Sequence, residues 1–263
     1  MATPLTDGIN ALTQYANEVT GKQDATLSDA VGSLVEGYGQ DGLPFDPQYC
    51  KKLDGMFQTA ILPKVFDIDL KDFTSLVSVN NMFVNLMGTP GVNGETVTIR
   101  NLRQSGNTFT AAGLFYYNSR TKYVNFIDCD FSPINASELF RTSRIEEIQG
   151  ELDFTNTTNA GQAFNGASNL REIRIKPNSI RINASGTSFY FKSCANLSNE
   201  SLISITNGLD GTVTGLTLEL HATAKDNCSV VTGTNDNGTF IADPSGTLTL
   251  ADFITTVKGW TLA

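Results

Sequence analysis

The sequence predicts an α/β solenoid: a stack of short parallel strands with irregular or helical return arms, led by a small helical segment. Three observations carry this. A short strand pattern recurs as FDIDL at 66–70, VTIRNL at 97–102, VNFIDC at 124–129, IQGEL at 148–152, IRIKPN at 173–178 and LTLEL at 216–220. Its steps are 27 residues from Val97 to Val124, 24 from Val124 to Ile148 and 25 from Ile148 to Ile173. A second marker keeps pace with the first: MF at 82–83, LF at 114–115, LF at 139–140, AF at 163–164 and YF at 190–191. Two markers sharing one period in the 20–50-residue range are the signature of a repeat array. The third observation is composition. The 263 residues include 31 Thr and 23 Asn but only 17% charged side chains. Thr is at home in strands and Asn in turns, as a stack of strands and corners requires.

Taken in order, residues 1–40 read as helical. Leu5, Ile9, Leu12, Ala16 and Val19 share one helical face, and Leu27, Ala30, Val31, Leu34, Val35 and Tyr38 share another, closed by Gly37 and Gly39. Two short amphipathic helices bury such stripes poorly alone, so Leu5, Ile9, Leu12, Leu27, Val31, Leu34 and Tyr38 form an expected attachment and oligomerisation face. Residues 41–64, with Pro44, Pro47 and Pro63, read as a linker, and 65–263 as the repeat body. Within each repeat, VxI or IxI alternation turns one row of side chains inward and one outward. Cys129 and Asn178 stand where the chain leaves the strand, placed to satisfy loop amides. The phenylalanine marker packs the return arm onto the strand. One repeat has almost no core of its own, so stability comes from stacking. An insertion at about 221–248 reads as a hairpin turning at NDNG and projecting from the solenoid end, and 249–263 as a C-terminal cap.

AFNGASNL at 163–170 and FKSCANL at 191–197 resemble the AFxxCxxL signature of BspA-like leucine-rich repeats, and LREIRIKPNSI at 170–180 resembles the strand that follows it. LSNESLISITNGL at 197–209 is similar to the helix of the penultimate unit in such proteins, and GWTLA at 259–263 to their closing strand. TGKQDATLSDAVGSLVEGYG at 20–39 is similar to a segment near the start of virion proteins from phages and prophages of Firmicutes. Together these resemblances imply a leucine-rich-repeat-like body carried on a virion, in the tail tip, baseplate or fibre.

A formal charge of −9 and a pI near 4.6 exclude a general phosphate-binding surface, so no nucleic-acid partner is expected. No apolar run approaches the roughly 18–20 residues of a membrane span, and the first 20 residues lack a secretory signal pattern. The resemblance to virion proteins makes the virion the expected location, assembled in a bacterial cytoplasm and released by lysis. Cys50, Cys129, Cys194 and Cys228 are too widely spaced for a CxxC site and read as reduced thiols behaving as small hydrophobes. The lone His221 reads as a strand-exit residue rather than a catalyst or ligand. Asp67 with Asp69, and Asp128 with Asp130, sit two apart, which on a strand is about 7 Å and within the range of glycosidase carboxylates. Alternating acids on strands are more simply solvent-facing, so no catalytic residue is assigned. The NDN stretch at 235–237 with Asp243 lacks the spacing of a calcium loop, and no metal or cofactor is expected. What remains is a surface: an outward ladder of Asp67, Thr98, Asn125, Gln149, Arg174 and Thr217, polar and mixed in charge. It suits a host-surface glycan or protein, while the N-terminal segment would meet other virion proteins and copies of itself.

Overall fold

The computed structural model describes residues 47–103, 108–130, 132–181, 188–213 and 215–263; the expected N-terminal helices, with Leu5, Ile9, Leu12, Leu27, Val31, Leu34 and Tyr38, lie outside them. Five strands, β1 (Val65–Asp69), β2 (Thr96–Arg100), β3 (Tyr123–Ile127), β4 (Glu147–Leu152) and β5 (Glu172–Ile175), pair in parallel and in chain order. Each turns a pair of apolar residues inward, from Phe66 and Ile68 in β1 to Ile173 and Ile175 in β5, and all are buried. Phe66, Val97, Val124 and Ile148 fall in one row of the register. Parallel neighbours joined by return arms make a β-solenoid of about five turns, as the period predicts.

The return arms are ribbons of overlapping β-turns rather than helices. In one arm the N–H groups of Leu114, Tyr116 and Asn118 bond back to the carbonyls of Ala111, Gly113 and Phe115, while those of Gly113, Phe115 and Tyr117 donate to Ser137, Leu139 and Arg141 of the next arm. Every second amide thus closes its own turn and every other one stitches two turns together, which leaves few buried amides unpaired. This geometry needs a left-handed residue two positions before and two after the marker phenylalanine, as at every marker from Phe57 to Phe164. Asn81 and Asn85 flank Phe83 at φ 55° and 49°, and Glu138 and Thr142 flank Phe140 at 57° and 54°. The phenylalanines form one column of near-parallel rings, Phe57–Phe83–Phe115–Phe140–Phe164–Phe191, with centroids 5.3, 5.0, 5.5, 5.5 and 4.6 Å apart. Cys194 joins the same core, its Sγ 3.3 Å from the Ala167 carbonyl of the preceding repeat.

Phe57 corrects the linker reading. Residues 47–64 belong to the first turn of the stack: Leu53, Phe57 and Leu62 are buried, Lys52 bridges to Ser78, and Met56–Phe57 is one more copy of the marker. Pro47 opens a short 3-10 turn and Pro63 stands just before β1, so neither marks a tether.

At the far end the next strand is replaced. Helix α1 (Asn199–Gly208), capped by Ser198, lies along the edge of β5. The N–H groups of Ile173 and Ile175 donate to Ser201 Oγ and Ser204 Oγ at 3.0 and 2.8 Å, so two hydroxyls stand in for a neighbouring strand. A second parallel sheet holds β6 (Ser188–Phe191), β7 (Thr217–Leu220) and β11 (Thr261–Leu262), with β7 in the middle. The LTLEL segment therefore belongs to this sheet and not to the row of β1–β5.

Between β7 and β11 runs the expected insertion. Its hairpin, β8 (Thr232–Asp236) and β9 (Thr239–Ala242), turns at Asn237–Gly238 with φ 49° and 81°, as NDNG predicts. Residues 222–230 are instead a helix, α2 (Ala222–Val230), whose N-cap is His221; its Nδ1 accepts from the Thr223 N–H at 3.2 Å. The hairpin is also held close to its turn, through Phe240, rather than simply projecting. Asn207 binds both the N–H and the carbonyl of Phe240, at 2.7 and 3.1 Å, and Phe240 packs edge-on against Phe253. Strand β10 (Leu248–Thr249) pairs with β8 and leads into the short α3 (Leu250–Asp252) and a π-turn at Phe253–Val257. All four thiols are free, and burial pushes those of Cys194 and Cys228 up to about 12, far from reactive at neutral pH.

The closing segment buries a cation. Lys258 is 2% exposed, and its Nζ donates to Asn178 Oδ1 at 2.7 Å, while Trp260 Nε1 donates to the Asp210 carbonyl at 3.0 Å. Burial pulls the lysine below its ordinary value, with the Asp210 charge opposing. The unfolded chain then holds more protons than the folded one between the folded value and about 10.4, so stability rises with pH across that window. Denaturation midpoints measured from pH 7 to 10.5 should shift in favour of the wild type over Lys258→Met as pH rises; a constant difference would refute the buried charge.

Candidate binding face

The outward row of the sheet is where the predicted ladder must be judged. Asp67, Thr98, Asn125 and Gln149 are direct register partners, so four of the six residues do form one continuous row. The row then breaks. Between Glu147 and Glu151, strand β4 spends four residues where β5 spends two, and Arg174 pairs with Glu151 instead of Gln149. Gly150 makes this bulge at φ 94°, with its backbone so close to β3 that a Cβ would lie 2.4 Å from the Phe126 carbonyl oxygen. Thr217 leaves the row altogether. It sits at the start of β7, in the other sheet, where the outward pair between the buried residues is Tyr190 and Glu219.

The row is also uneven in chemistry. Its first half is occupied by its own contacts. Arg100 grips Asp67 through Nε and Nη2 at 2.9 Å, and Asn125 Nδ2 donates to Thr98 Oγ1 at 3.0 Å. Thr98 is only 5% exposed, so it is not a contact residue. Asp69 accepts from the Lys71 N–H and from Asn101 Nδ2, leaving the Asp67–Asp69 pair tied up on separate partners. Beside this row, at the strand entries, Lys64, Glu95, Lys122 and Glu146 alternate in sign down the stack, at 3.2, 3.8 and 3.5 Å. In the second half, by contrast, Gln149 and Arg174 are exposed and make no side-chain hydrogen bond or ion pair among the described residues.

That second half is concave. Helix α1 occupies the place of a sixth strand, and a helix is about 10 Å across with its side chains, so it stands above the plane of the sheet as a wall. Between wall and sheet lies a groove of about 780 Å³ over β4 and β5, including Gln149, Gly150, Glu151, Arg174, Glu200 and Ile203 in its lining. A smaller depression of about 330 Å³ adjoins it at Glu151 and includes Asp128, Asp130, Asp153 and Lys176 in its lining. There Lys176 Nζ sits 2.6 Å from Asp153. Burial works against the Asp153 charge, but Lys176 and the Thr155 hydroxyl and amide together hold it below the usual carboxylate range. Asp128 and Asp130 both reach this depression, the only part of the acidic-pair reading that gains a concave setting. No cluster of three or more His, Cys, Asp or Glu fit for a metal ion occurs among the described residues.

Sequence reasoning missed Glu151, Glu200, Ile203 and the groove itself. Gly150 within IQGEL was the available signal, since an isolated glycine in a strand pattern marks a bulge or a close backbone approach. No comparable signal says that a helix will replace a strand at the edge of β5. Among the described residues no helix is long and apolar enough to cross a membrane. Comparisons with protein-family models, curated proteins and solved structures found no match to this chain.

Proposed function

We propose that this chain is a phage virion protein of the tail tip, baseplate or fibre, in which residues 1–40 anchor a leucine-rich-repeat-like body that contacts the host surface. The observation that carries the reading is the pairing of a solenoid with a polar, partly unoccupied outer face and a leading segment whose 20–39 stretch resembles Firmicutes phage virion proteins. Solenoids present long surfaces on a rigid frame and are often used for binding. The phenylalanine column and the Ala167 and Cys194 positions support reading the repeats as BspA-like. The work assigned is adhesion without bond-making, and its partners are other virion proteins at one end and a host glycan or protein at the other.

A second reading, capsid or tail decoration, draws support from the first half of the outer row, where Asp67 and Arg100 bind each other and leave little for a ligand. A bacterial surface adhesin and a glycan depolymerase are weaker alternatives. Deleting residues 1–40 should yield a folded body that binds host cells saturably yet no longer joins particles. Normal incorporation of the truncated form would sink the anchoring role, and absence of saturable cell binding would favour decoration.

A further inference from the structure

We propose that the groove between β4–β5 and α1 is a carbohydrate site that accepts neutral or amino sugars and excludes acidic ones. Its biological purpose rests on the adhesion reading; its chemistry does not. At about 780 Å³ the groove is within the size range of clefts that bind small molecules, and it is walled on one side by α1. The two strongest unoccupied hydrogen-bonding side chains of the outer row, Gln149 and Arg174, both line it. An amide that donates and accepts, beside a planar guanidinium with five donors, matches the paired hydroxyls of a sugar ring. Ile203, half-buried on the wall, and exposed Pro177 supply apolar surface for the C–H face of such a ring.

Charge then selects among sugars. Glu147, Glu151, Glu172 and Glu200 share the lining with Arg174 as its single guanidinium. Glu147 is engaged by Arg171 and Glu172 accepts from Ser198, but exposed Glu151 and Glu200 are left facing the opening. A uronate, sialate or phosphate would bring like charge against them, whereas a hydroxyl or an ammonium donates to them.

A glycan array carrying neutral, amino-sugar and acidic glycans, probed with the full chain, tests this. The expected result is saturable binding confined to neutral and amino-sugar members. Gln149→Ala with Arg174→Ala should weaken it at least tenfold while the circular dichroism spectrum stays unchanged, and Asp67→Ala should leave it intact. Glu151→Lys with Glu200→Lys should admit acidic members. Acidic glycans binding best, binding indifferent to the groove variants, or binding of tetralysine with no glycan bound would each overturn the proposal. Host-cell adhesion is scored separately. Array binding without cell adhesion refutes the adhesive role alone, and cell adhesion unaffected by the groove variants refutes the groove alone.

Discussion

Phe140→Ala is expected to cost about 4 kcal/mol, within the range for truncating a fully buried phenylalanine. Its ring is 0% exposed and lies between Phe115 and Phe164, 5.5 Å from each. The surrounding arm has little room to collapse into the space. Its backbone is stitched on the far side by the amide of Phe140 donating to the Ala163 carbonyl, and Glu138 and Thr142 hold left-handed conformations that do not slide. Against a total stability of roughly 5–15 kcal/mol for a natural domain, this is a large fraction. The architecture adds a second expectation. A solenoid is stabilised by contacts between neighbours, so a hole at one interface weakens the coupling between the turns on either side. Urea denaturation followed by far-ultraviolet circular dichroism should show a lower midpoint and a broader transition, with a smaller apparent m-value than wild type. Phe140→Leu, which keeps most of the volume, should lose only about 1 kcal/mol. A loss below 1 kcal/mol for the alanine variant would mean that the ring column is not a principal source of stability.

The same column shows what could be read before any coordinates. The marker phenylalanines and the VxI strands were legible because both belong to periodic rows, and every marker from Phe83 to Phe191 takes its place in the stack. Phe57 was equally periodic but was masked by Pro47 and Pro63, which read as a linker when taken for composition alone. The turn ribbons were only half legible. Asn81 and Gly113 announce a left-handed backbone, but Tyr117, Glu138 and Thr142 occupy the same positions at φ 51°, 57° and 54° with side chains that carry no such signal. Their conformational cost, about 1–2 kcal/mol each, is met by the inter-arm hydrogen bonds, a tertiary term that no local propensity contains. The outer row failed for a similar reason. A two-residue period predicts which side chains point outward, yet register across strands depends on bulges, and one bulge at Gly150 moves Arg174 from opposite Gln149 to opposite Glu151. Helix α1 was recognisable as a helix; its role as the groove wall depends on Ser201 and Ser204 satisfying the edge of β5, which is a long-range pairing.

Gly150→Ala should destabilise the protein by about 3 kcal/mol and damage the groove at the same time. Two costs act together. At φ 94° an alanine is in a region disfavoured for any L-residue, worth about 1–2 kcal/mol. Its Cβ would then stand 2.4 Å from the Phe126 carbonyl oxygen and 3.0 Å from Phe126 Cβ, so β3 and β4 must separate, an overpacking cost of about 1–3 kcal/mol. A side chain could rotate away from the intrusion; a carbonyl within a five-stranded sheet cannot. Gly238, in the hairpin turn, separates the two terms, because it too has positive φ, at 81°, but nothing lies within 4 Å of its added Cβ. Gly238→Ala should therefore cost only about 1 kcal/mol. Both variants are compared with wild type by equilibrium denaturation. The difference between their losses reports the close approach of β4 to β3 alone, and equal losses would refute it. The consequence for function is directional. Relief of the clash requires β4 to move away from β3 and towards β5, which changes the spacing of Gln149 and Arg174. Any ligand seated on those two side chains should accordingly be lost with Gly150→Ala and kept with Gly238→Ala, even at temperatures where both variants remain fully folded.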